Sequence, residues 1–304
     1  MVEVIAARES FNRARHKAFW HALFSALTGR SNELLAWEEV RGKLQIGGQI
    51  YRGIQEVPVE KVIGSVNRYR DFDRIFLPTQ TFTANRWRSI SRAFYEAKSL
   101  PPVSLYKLGD VYFVLDGNHR ISVAREQGQF YIDAEVIEVE SRVPVEADLN
   151  AEDLEIKGEY AEFLERTRLD ELRPDQAIEF TIAGGYRRLL KHIAVHRYYM
   201  GLEQQRFIPE DEAVTDWYDA VYVPLVQVIR EQEILKDFPD RTEADLYLWV
   251  ISHQYFLREK RGPVSSEEAA EHFVEHYAPN LFQRALHWLR NLMGINVKSR
   301  KSKV

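Results

Sequence analysis

The sequence feature that most constrains the fold is an apolar segment that runs through a glycine turn into a helix. Residues 111–115 read Val-Tyr-Phe-Val-Leu, which predicts a buried strand, and Asp-Gly-Asn at residues 116–118 ends that strand. His119 and Arg120 then open a helix-forming segment. The first turn of a helix has free backbone N–H groups, and the helix dipole adds partial positive charge there. This arrangement is typical of a site for phosphate or another anion.

The residue types in this loop match the needs of an anion site. Gly117 permits close approach of a ligand, and Asn118 tolerates the left-handed backbone conformation that aims successive amides at one point. Arg120 offers a planar set of donors that matches phosphate or carboxylate oxygens. We therefore predict that Gly117, Asn118, His119 and Arg120 bind a nucleotide or another phosphorylated ligand.

A purely structural interpretation of the same loop stays open at this point. In it, Asp116 caps the helix, and Arg120 pairs with an acid such as Glu56 or Asp133. No ligand is then required. A turn that carries Gly, His and Arg together has more than capping needs, and this favours the binding interpretation.

The segments around the loop predict a small mixed α/β domain. Gly109-Asp110 separates two strand-like segments, residues 103–107 and 111–115, and predicts a tight hairpin turn. Residues 84–97 predict a helix before the hairpin, and residues 132–139 predict a strand after the loop.

In this order of elements, residues 51–140 resemble the ParB/sulfiredoxin-like fold, in its ParB N-terminal-like form. Residues 54–62 match the opening strand and short helix, and Asp-Gly-Asn-His-Arg at residues 116–120 matches the phosphate loop. Chromosome-partition ParB proteins bind CTP and DNA, sulfiredoxins use a cysteine, some members phosphorylate free serine, and others are described as nucleases. The resemblance therefore implies a phosphate-bearing ligand and leaves the reaction open.

The chain departs from two branches of this fold. It contains no cysteine, and Asn118 stands where sulfiredoxins carry their nucleophile, so sulfiredoxin chemistry is excluded. The loop also differs from the Gly-Glu-Arg-Arg type of chromosome-partition ParB, and no helix-turn-helix pattern follows it. In those proteins an arginine upstream of the loop helps to hold the nucleotide. The resemblance implies that Arg70 or Arg68 takes that place here.

Two functions from different classes fit the loop. The first is a nucleotide-binding ParB-like regulatory protein, associated with nucleic acid in one version. The second is a Mg²⁺-dependent phosphotransferase, such as a small-molecule kinase, or a nuclease. In the enzyme, Asp116 would hold Mg²⁺ or take a proton, and His119 would act as acid or base. The base of the nucleotide does not follow from the sequence.

Two basic clusters bear on a nucleic-acid partner. Arg68-Tyr69-Arg70 and Arg86-Trp87-Arg88 alternate charge and aromatic rings, a pattern that suits phosphate contacts and base stacking. The other interpretation is two solvated surfaces with one buried ring each. The net charge of −5 argues against a dedicated DNA-binding protein, because affinity for the phosphate backbone comes from Lys and Arg.

The chain divides into four parts in an α+β architecture. We predict an N-terminal helical arm at residues 1–46, the ParB/sulfiredoxin-like domain at 47–140, an acidic connector at 141–159 and an all-helical domain at 160–304. Stretches at residues 185–192 and 241–249 look like an uncharacterised bacterial domain. The end of the chain combines an amphipathic segment, residues 281–293, with a basic tail.

Nothing in the sequence indicates export or membrane insertion. Arginine and lysine residues interrupt every apolar run near the N-terminus, so no secretory signal is predicted. No segment approaches the ~20 apolar residues of a membrane span. We therefore expect a cytoplasmic protein.

Several residues in the helical domain also require an interpretation. His192 and His196, like His272 and His276, stand four residues apart, but neither pair has obvious further ligands, so we predict no metal site. Thr242 is predicted to cap a helix with Asp245 at its third position. Aromatic residues are predicted to form the core of this domain: Trp217, Tyr218, Tyr222, Tyr247, Trp249, Tyr255 and Phe256.

Overall fold

The computed structural model describes residues 2–28, 32–146, 149–262, 264–265 and 268–272. The chain forms two compact units, Met1–Glu162 and Phe163–Val304, called here the first and second unit. The first unit contains a mixed sheet, and the described part of the second is helical. This confirms the mixed α+β class. No described helix has both the length and the apolar character needed to cross a bilayer.

The described part of the first unit is built on a sheet of six strands in the order β1-β3-β5-β4-β6-β2. The β4–β5 and β2–β6 pairs are antiparallel, whereas the β1–β3, β3–β5 and β4–β6 pairs are parallel. The strands span Leu35–Ala36 (β1), Gln49–Pro58 (β2), Val62–Ser65 (β3), Val103–Leu108 (β4), Val111–Asp116 (β5) and Tyr131–Val139 (β6).

The predicted hairpin is confirmed. Gly109 and Asp110 join β4 to β5, and Leu108 pairs with Val111 across the turn. Gly109 has a φ of +57°, which glycine adopts without the steric penalty of a side chain. This two-residue turn sets the register that delivers Asp116 to the end of β5.

Strand β5 lies between the two apolar cores of the first unit. Its residues alternate between them: Tyr112 and Val114 face one cluster, and Val111 and Phe113 face the other. A central strand that is buried on both faces reads as a continuous apolar run, as residues 111–115 do. The end of this strand, which carries the loop, is therefore anchored on both sides of the sheet.

Helices cover both faces of the sheet in the first unit. Trp87 on α3 is fully buried, and its ring meets that of Phe11 on α1 edge-on at 5.4 Å. Removal of a buried ring of this size costs about 3–5 kcal/mol. The helices of this unit span Val2–Thr28 (α1), Trp37–Leu44 (α2), Ala84–Tyr95 (α3) and Asn118–Glu126 (α4), and α5, Ala151–Thr167, crosses the unit boundary.

Helices α1 and α2, in the segment predicted as an N-terminal arm, pack against the sheet of the first unit. Phe11, Ala14 and Ala18 of α1 belong to one core cluster, while Trp37 and Val40 of α2 belong to the other. Strand β1 also pairs with β3 in the sheet. The predicted helical character of this segment agrees with α1 and α2, but the burial of these helices depends on the sheet that they cover.

Residues 151–159, which we expected in a connector, form the first half of α5. Asn150 caps this helix, since its Oδ1 accepts from the N–H groups of Glu152 at 2.8 Å and Asp153 at 3.0 Å. Leu154 is fully buried in a core of the first unit. The acidic composition of this segment did not indicate a helix, although Asn150 caps one here and Leu154 anchors it in the core.

The described residues of the second unit form helices, as predicted. Between α8 and α9 the chain makes a π-helical turn at Tyr218–Tyr222. Pro224 follows, and a proline ring clashes with the carbonyl four residues earlier in a regular helix, so a widened turn accommodates it. The elements are α6 (Leu169–Leu172), α7 (Gly185–Gln204), α8 (Glu210–Trp217), α9 (Val223–Glu231), a 3₁₀ turn (Ile234–Asp237) and α10 (Glu243–Arg261).

Part of the predicted aromatic core is confirmed. Trp217, Tyr222 and Tyr247 are buried, and Trp217 Nε1 donates to Tyr247 Oη at 3.2 Å. In contrast, Tyr255 and Phe256 are exposed. Helical spacing alone could not decide which aromatic side chains of α10 point inward. Residues 281–293 and the basic tail lie outside the described residues.

Candidate functional site

The loop at residues 116–120 connects β5 to α4, as the sequence predicts. Gly117 precedes the helix with a φ of +112°, and a Cβ at this position would lie 2.6 Å from Val103 Cγ1. A larger residue would therefore meet both backbone strain and the packed β4 strand. This glycine lets the chain turn tightly, so that the first turn of α4 begins directly after the end of β5.

Asn118 is buried at the first position of α4. Its Nδ2 donates to the backbone carbonyl of Asn67 at 3.3 Å, while its Oδ1 is buried and has no hydrogen-bond partner among the described residues. Ser65 Oγ accepts from the N–H of Asn67 at 3.2 Å and stabilises the turn that presents this carbonyl. Asn118 therefore has a fixed orientation and one unused acceptor.

His119 is also buried, and it packs edge-on against the ring of Phe72 at 5.2 Å between centroids. Burial lowers its pKa to about 4, and the positive charges of Arg86 and Arg68 contribute to the same shift. Within the described part of the chain, its buried Nδ1 has no hydrogen-bond partner. At neutral pH the imidazole is uncharged and has an unused ring nitrogen.

Arg120 is committed to contacts inside the fold. Its Nη1 donates to the carbonyls of Pro101 at 2.5 Å and Pro102 at 2.7 Å, and its Nη2 pairs with Asp116 Oδ2 at 2.6 Å. The structural interpretation of the loop expected an acid partner at Glu56 or Asp133. The partner is instead Asp116, whose side chain is 67% exposed and does not cap the helix.

The flanking arginines surround the loop unequally. Arg68 and Arg86 are close enough to His119 to lower its pKa, whereas Arg70 lies over the ring of Tyr69 at 5.6 Å. Arg68 has a φ of +60° and pairs with Asp71 at 3.3 Å. Arg68 therefore contributes to the electrostatic environment of His119.

Trp87 does not form a stacking platform between Arg86 and Arg88. It is fully buried, and its Nε1 donates to Ser122 Oγ on α4 at 2.8 Å. Arg88 lies over the ring of Phe11 at 5.5 Å. Trp87 is therefore the buried ring that the structural interpretation of this cluster expects. Of its two arginines, Arg86 is the one that acts electrostatically on His119.

Sequence reasoning missed two neighbours of the loop, Asn67 and Phe72. Asn67 lies 51 residues before Asn118, and no local pattern marks it as a contact. The only signal near these residues is the pair of arginines at 68 and 70, which drew attention to the segment but not to these contacts.

The histidines of the second unit have other partners. His196 Nε2 lies 2.7 Å from Asp216 Oδ2, and His253 Nε2 lies 2.8 Å from His272 Nδ1. His192 packs against Tyr247, and burial lowers its pKa. Among the described residues, no group of three or more His, Cys, Asp or Glu residues could hold a metal ion. His276 lies outside the described residues.

Comparison with known protein families gives a match for part of the second unit. Residues 183–278 match the model of a family described as a domain of unknown function, DUF4032. This range contains the stretches at residues 185–192 and 241–249, and it excludes the loop at residues 116–120. No curated protein is significantly similar to the chain.

Proposed function

We propose that the first unit is a ParB-like regulatory module that binds a nucleotide or another phosphorylated ligand at the 116–120 loop. One observation carries the proposal: Asn118 Oδ1 and His119 Nδ1 are buried polar atoms of consecutive residues, and neither has a partner among the described residues. A buried polar atom without a hydrogen bond costs about 1–3 kcal/mol, so two together at a helix N-terminus call for an explanation. A bound ligand supplies one.

The two free atoms favour a nucleotide over a simple anion. Asn118 Oδ1 can only accept a hydrogen bond, which requires a hydroxyl or amino group on the ligand. His119 Nδ1, when it carries the ring proton, donates to a phosphate oxygen. A nucleotide offers both kinds of group in one molecule. A bound phosphate would also raise the pKa of His119, because it opposes the effect of the arginines.

The charged residues then take distinct roles. Arg68 and Arg86 supply the positive potential for the phosphates, since both already act on His119. Arg120 positions the loop through Pro101, Pro102 and Asp116. A direct contact between Arg120 and phosphate would require it to leave Asp116. Arg70 lies over the ring of Tyr69 and is the further arginine that the resemblance offers for this site.

A second function is supported by the exposure of Asp116. Its carboxylate is 67% exposed beside the loop and has one oxygen bonded to Arg120. In a Mg²⁺-dependent phosphotransferase or nuclease, this group would take the metal or a proton. His119 would serve as its acid or base only if the bound ligand raised its pKa toward neutrality.

Calorimetric titration with ATP, GTP, CTP and UTP, with and without Mg²⁺, tests the proposal. We expect at least one nucleotide to bind, and Arg86→Gln to weaken that binding about 10-fold, as expected for the loss of a charge-assisted hydrogen bond. Arg92→Gln is the matched control, because Arg92 lies on the same helix and pairs with Glu96 at 3.4 Å. Binding by none of the four would refute a nucleotide as the ligand, and equal loss in the control would refute the role of Arg86 in the site.

Turnover distinguishes the two functions. The regulatory protein binds its nucleotide and leaves it intact, whereas the enzyme converts it in the presence of Mg²⁺. In the enzyme, Asp116→Asn should abolish this conversion and leave most of the affinity. Chromatography of the nucleotide after incubation with each protein provides the measurement.

A further inference from the structure

A pocket in the first unit lies near the C-terminal end of α4, the opposite end from the 116–120 loop. It is formed by the second half of α1, the end of β2 with the turn after it, and the last turn of α4. Its volume is about 870 Å³. Small-molecule sites in proteins typically measure about 300–1,000 Å³, so the pocket is large enough for an organic ligand.

Arg125 is a buried cation in the lining of this pocket. Its Nη2 donates to the carbonyls of Val59 at 2.9 Å and Val62 at 2.6 Å, and its guanidinium lies 5.2 Å from the ring of Phe76. Its Nε is buried and has no hydrogen-bond partner among the described residues. Burial lowers the pKa of Arg125 to about 10, an unusually strong effect for this group.

The acidic groups near Arg125 do not neutralise it directly. No described carboxylate lies within the 4.0 Å of an ion pair with Arg125; Asp73 and Glu60 act on it from farther away. Glu126 also lines the pocket, but it is paired with Lys17 at 2.9 Å and Arg13 at 3.6 Å. A buried charge without a close counter-ion is costly, and a bound anion would remove that cost.

Much of the remaining wall of the pocket is apolar and aromatic, although Lys17 and Glu60 line it too. Trp20 and Phe24 extend from α1, Tyr131 is the first residue of β6, and Phe130 directly precedes it. All four are exposed, Phe130 to 83%. Two histidines, His16 and His21, also line the pocket, and His21 Nδ1 lies 3.8 Å from the buried Asp73. Exposed aromatic rings around one buried cation are suited to a ligand with an apolar body and one negative charge.

We propose that this pocket binds an amphiphilic organic anion, with its anionic group at Arg125 and its aromatic or alkyl body against Trp20 and Phe130. The ligand class follows from the buried guanidinium, the aromatic rim and the volume of the pocket. The proposal is independent of nucleotide binding, because the two sites lie at opposite ends of α4 and share no residue named for either.

Calorimetry with two pairs of matched probes tests this proposal on the full chain. The acids are 2-naphthoate and octanoate, and their neutral counterparts are 2-naphthalenemethanol and 1-octanol. At least one acid should bind, and its alcohol should bind at least 10-fold more weakly, because the alcohol lacks the charge that Arg125 attracts. Trp20→Ala should weaken the acid several-fold with an unchanged melting temperature, since Trp20 is 56% exposed.

Two further variants separate the charge effect from general effects. Arg125→Gln should abolish the preference for the acid over the alcohol. Arg41→Gln is its control, since Arg41 lies on α2, is exposed and does not line the pocket. Arg86→Gln, the variant that tests the nucleotide site, should leave acid binding unchanged. Failure of nucleotide binding would therefore not affect this result.

Several outcomes would overturn the proposal. The first is that neither acid binds. The second is that each alcohol binds as tightly as its acid, which would show that the pocket is an apolar surface without preference for a negative charge. Equal loss in Arg41→Gln and Arg125→Gln would have the same meaning. Arg125 also supports the turn after β2, so if Arg125→Gln fails to fold, the comparison of acid with alcohol and the Trp20→Ala variant decide the matter.

Discussion

At neutral pH the imidazole of His119 is uncharged, because burial and two nearby arginines lower its pKa to about 4. In the unfolded chain the same group titrates near 6.5. Between these values the unfolded state binds a proton that the folded state does not. The free energy of unfolding must therefore fall as the pH drops from about 6.5 to about 4, and His119 has no such effect at higher pH.

This linkage predicts a measurable difference between the wild type and His119→Gln. We expect the wild type to lose about 2 kcal/mol more stability than the variant between pH 7.5 and 4.5, since one pKa unit corresponds to about 1.4 kcal/mol. Urea denaturation at a series of pH values gives both curves. His192 also has a lowered pKa, but it is present in both proteins and cancels in the difference. Parallel curves would contradict the burial of a neutral His119.

Gly117 makes a second prediction at the scale of one residue. Gly117→Ala should destabilise the protein by about 1–3 kcal/mol, because its φ of +112° strains any side chain and the new Cβ would meet Val103 at 2.6 Å. Gly128→Ala is the matched control: its φ is +71°, but no atom lies within 4 Å of its Cβ position. The first variant should therefore cost more than the second in urea denaturation. Equal costs would show that the packing against β4 is looser than described.

At the scale of elements, α10 begins with the capping box that the sequence predicts. Asp245 Oδ2 accepts from the N–H of Thr242 at 3.0 Å, and Thr242 Oγ1 accepts in return from the N–H of Asp245 at 3.3 Å. Asp245 is fully buried and also accepts from Thr181 Oγ1 at 2.7 Å. One carboxylate therefore caps α10 and fixes the segment before α7.

This double role predicts an order of stabilities. Asp245→Ala should cost about 2–4 kcal/mol, because it leaves buried donors unsatisfied, whereas Thr242→Ala should cost about 1 kcal/mol, as loss of a cap does. Glu243→Gln should cost less than about 1 kcal/mol, since its ion pair with Arg230 lies at the surface. Thermal denaturation of the three variants provides the test, and a reversed order would contradict the role of Asp245.

At the scale of the whole molecule, the first helix is a structural part of the first unit. Phe11 of α1 covers the buried ring of Trp87, and Ala14 is fully buried beside it. Deletion of residues 2–28 should expose Trp87 and abolish cooperative unfolding of the first unit, with a red shift in tryptophan fluorescence. Leu27→Ser, at a position that is 78% exposed, should change stability by less than about 0.5 kcal/mol. A deletion variant that unfolds cooperatively at the wild-type midpoint would contradict this assignment.

The sequence by itself determined the elements whose signals are local. The Gly109-Asp110 turn, the helix after Gly117 and the Thr242 cap each depend on residues within a few positions of one another. Backbone conformation and capping are decided over such short distances, so these predictions needed no knowledge of the fold. The 116–120 loop was recognised for the same reason, as a turn between a strand and a helix.

Only the tertiary structure decided which partners these residues meet. It committed Arg120 to the carbonyls of Pro101 and Pro102, and it placed His119 against Phe72. It also packed α1 and α2 into the first unit and buried Leu154 in its core. Burial, ion pairing and the pKa shifts that they cause depend on segments far apart in the chain. No local pattern encodes those contacts, because they form only when the sheet brings the segments together.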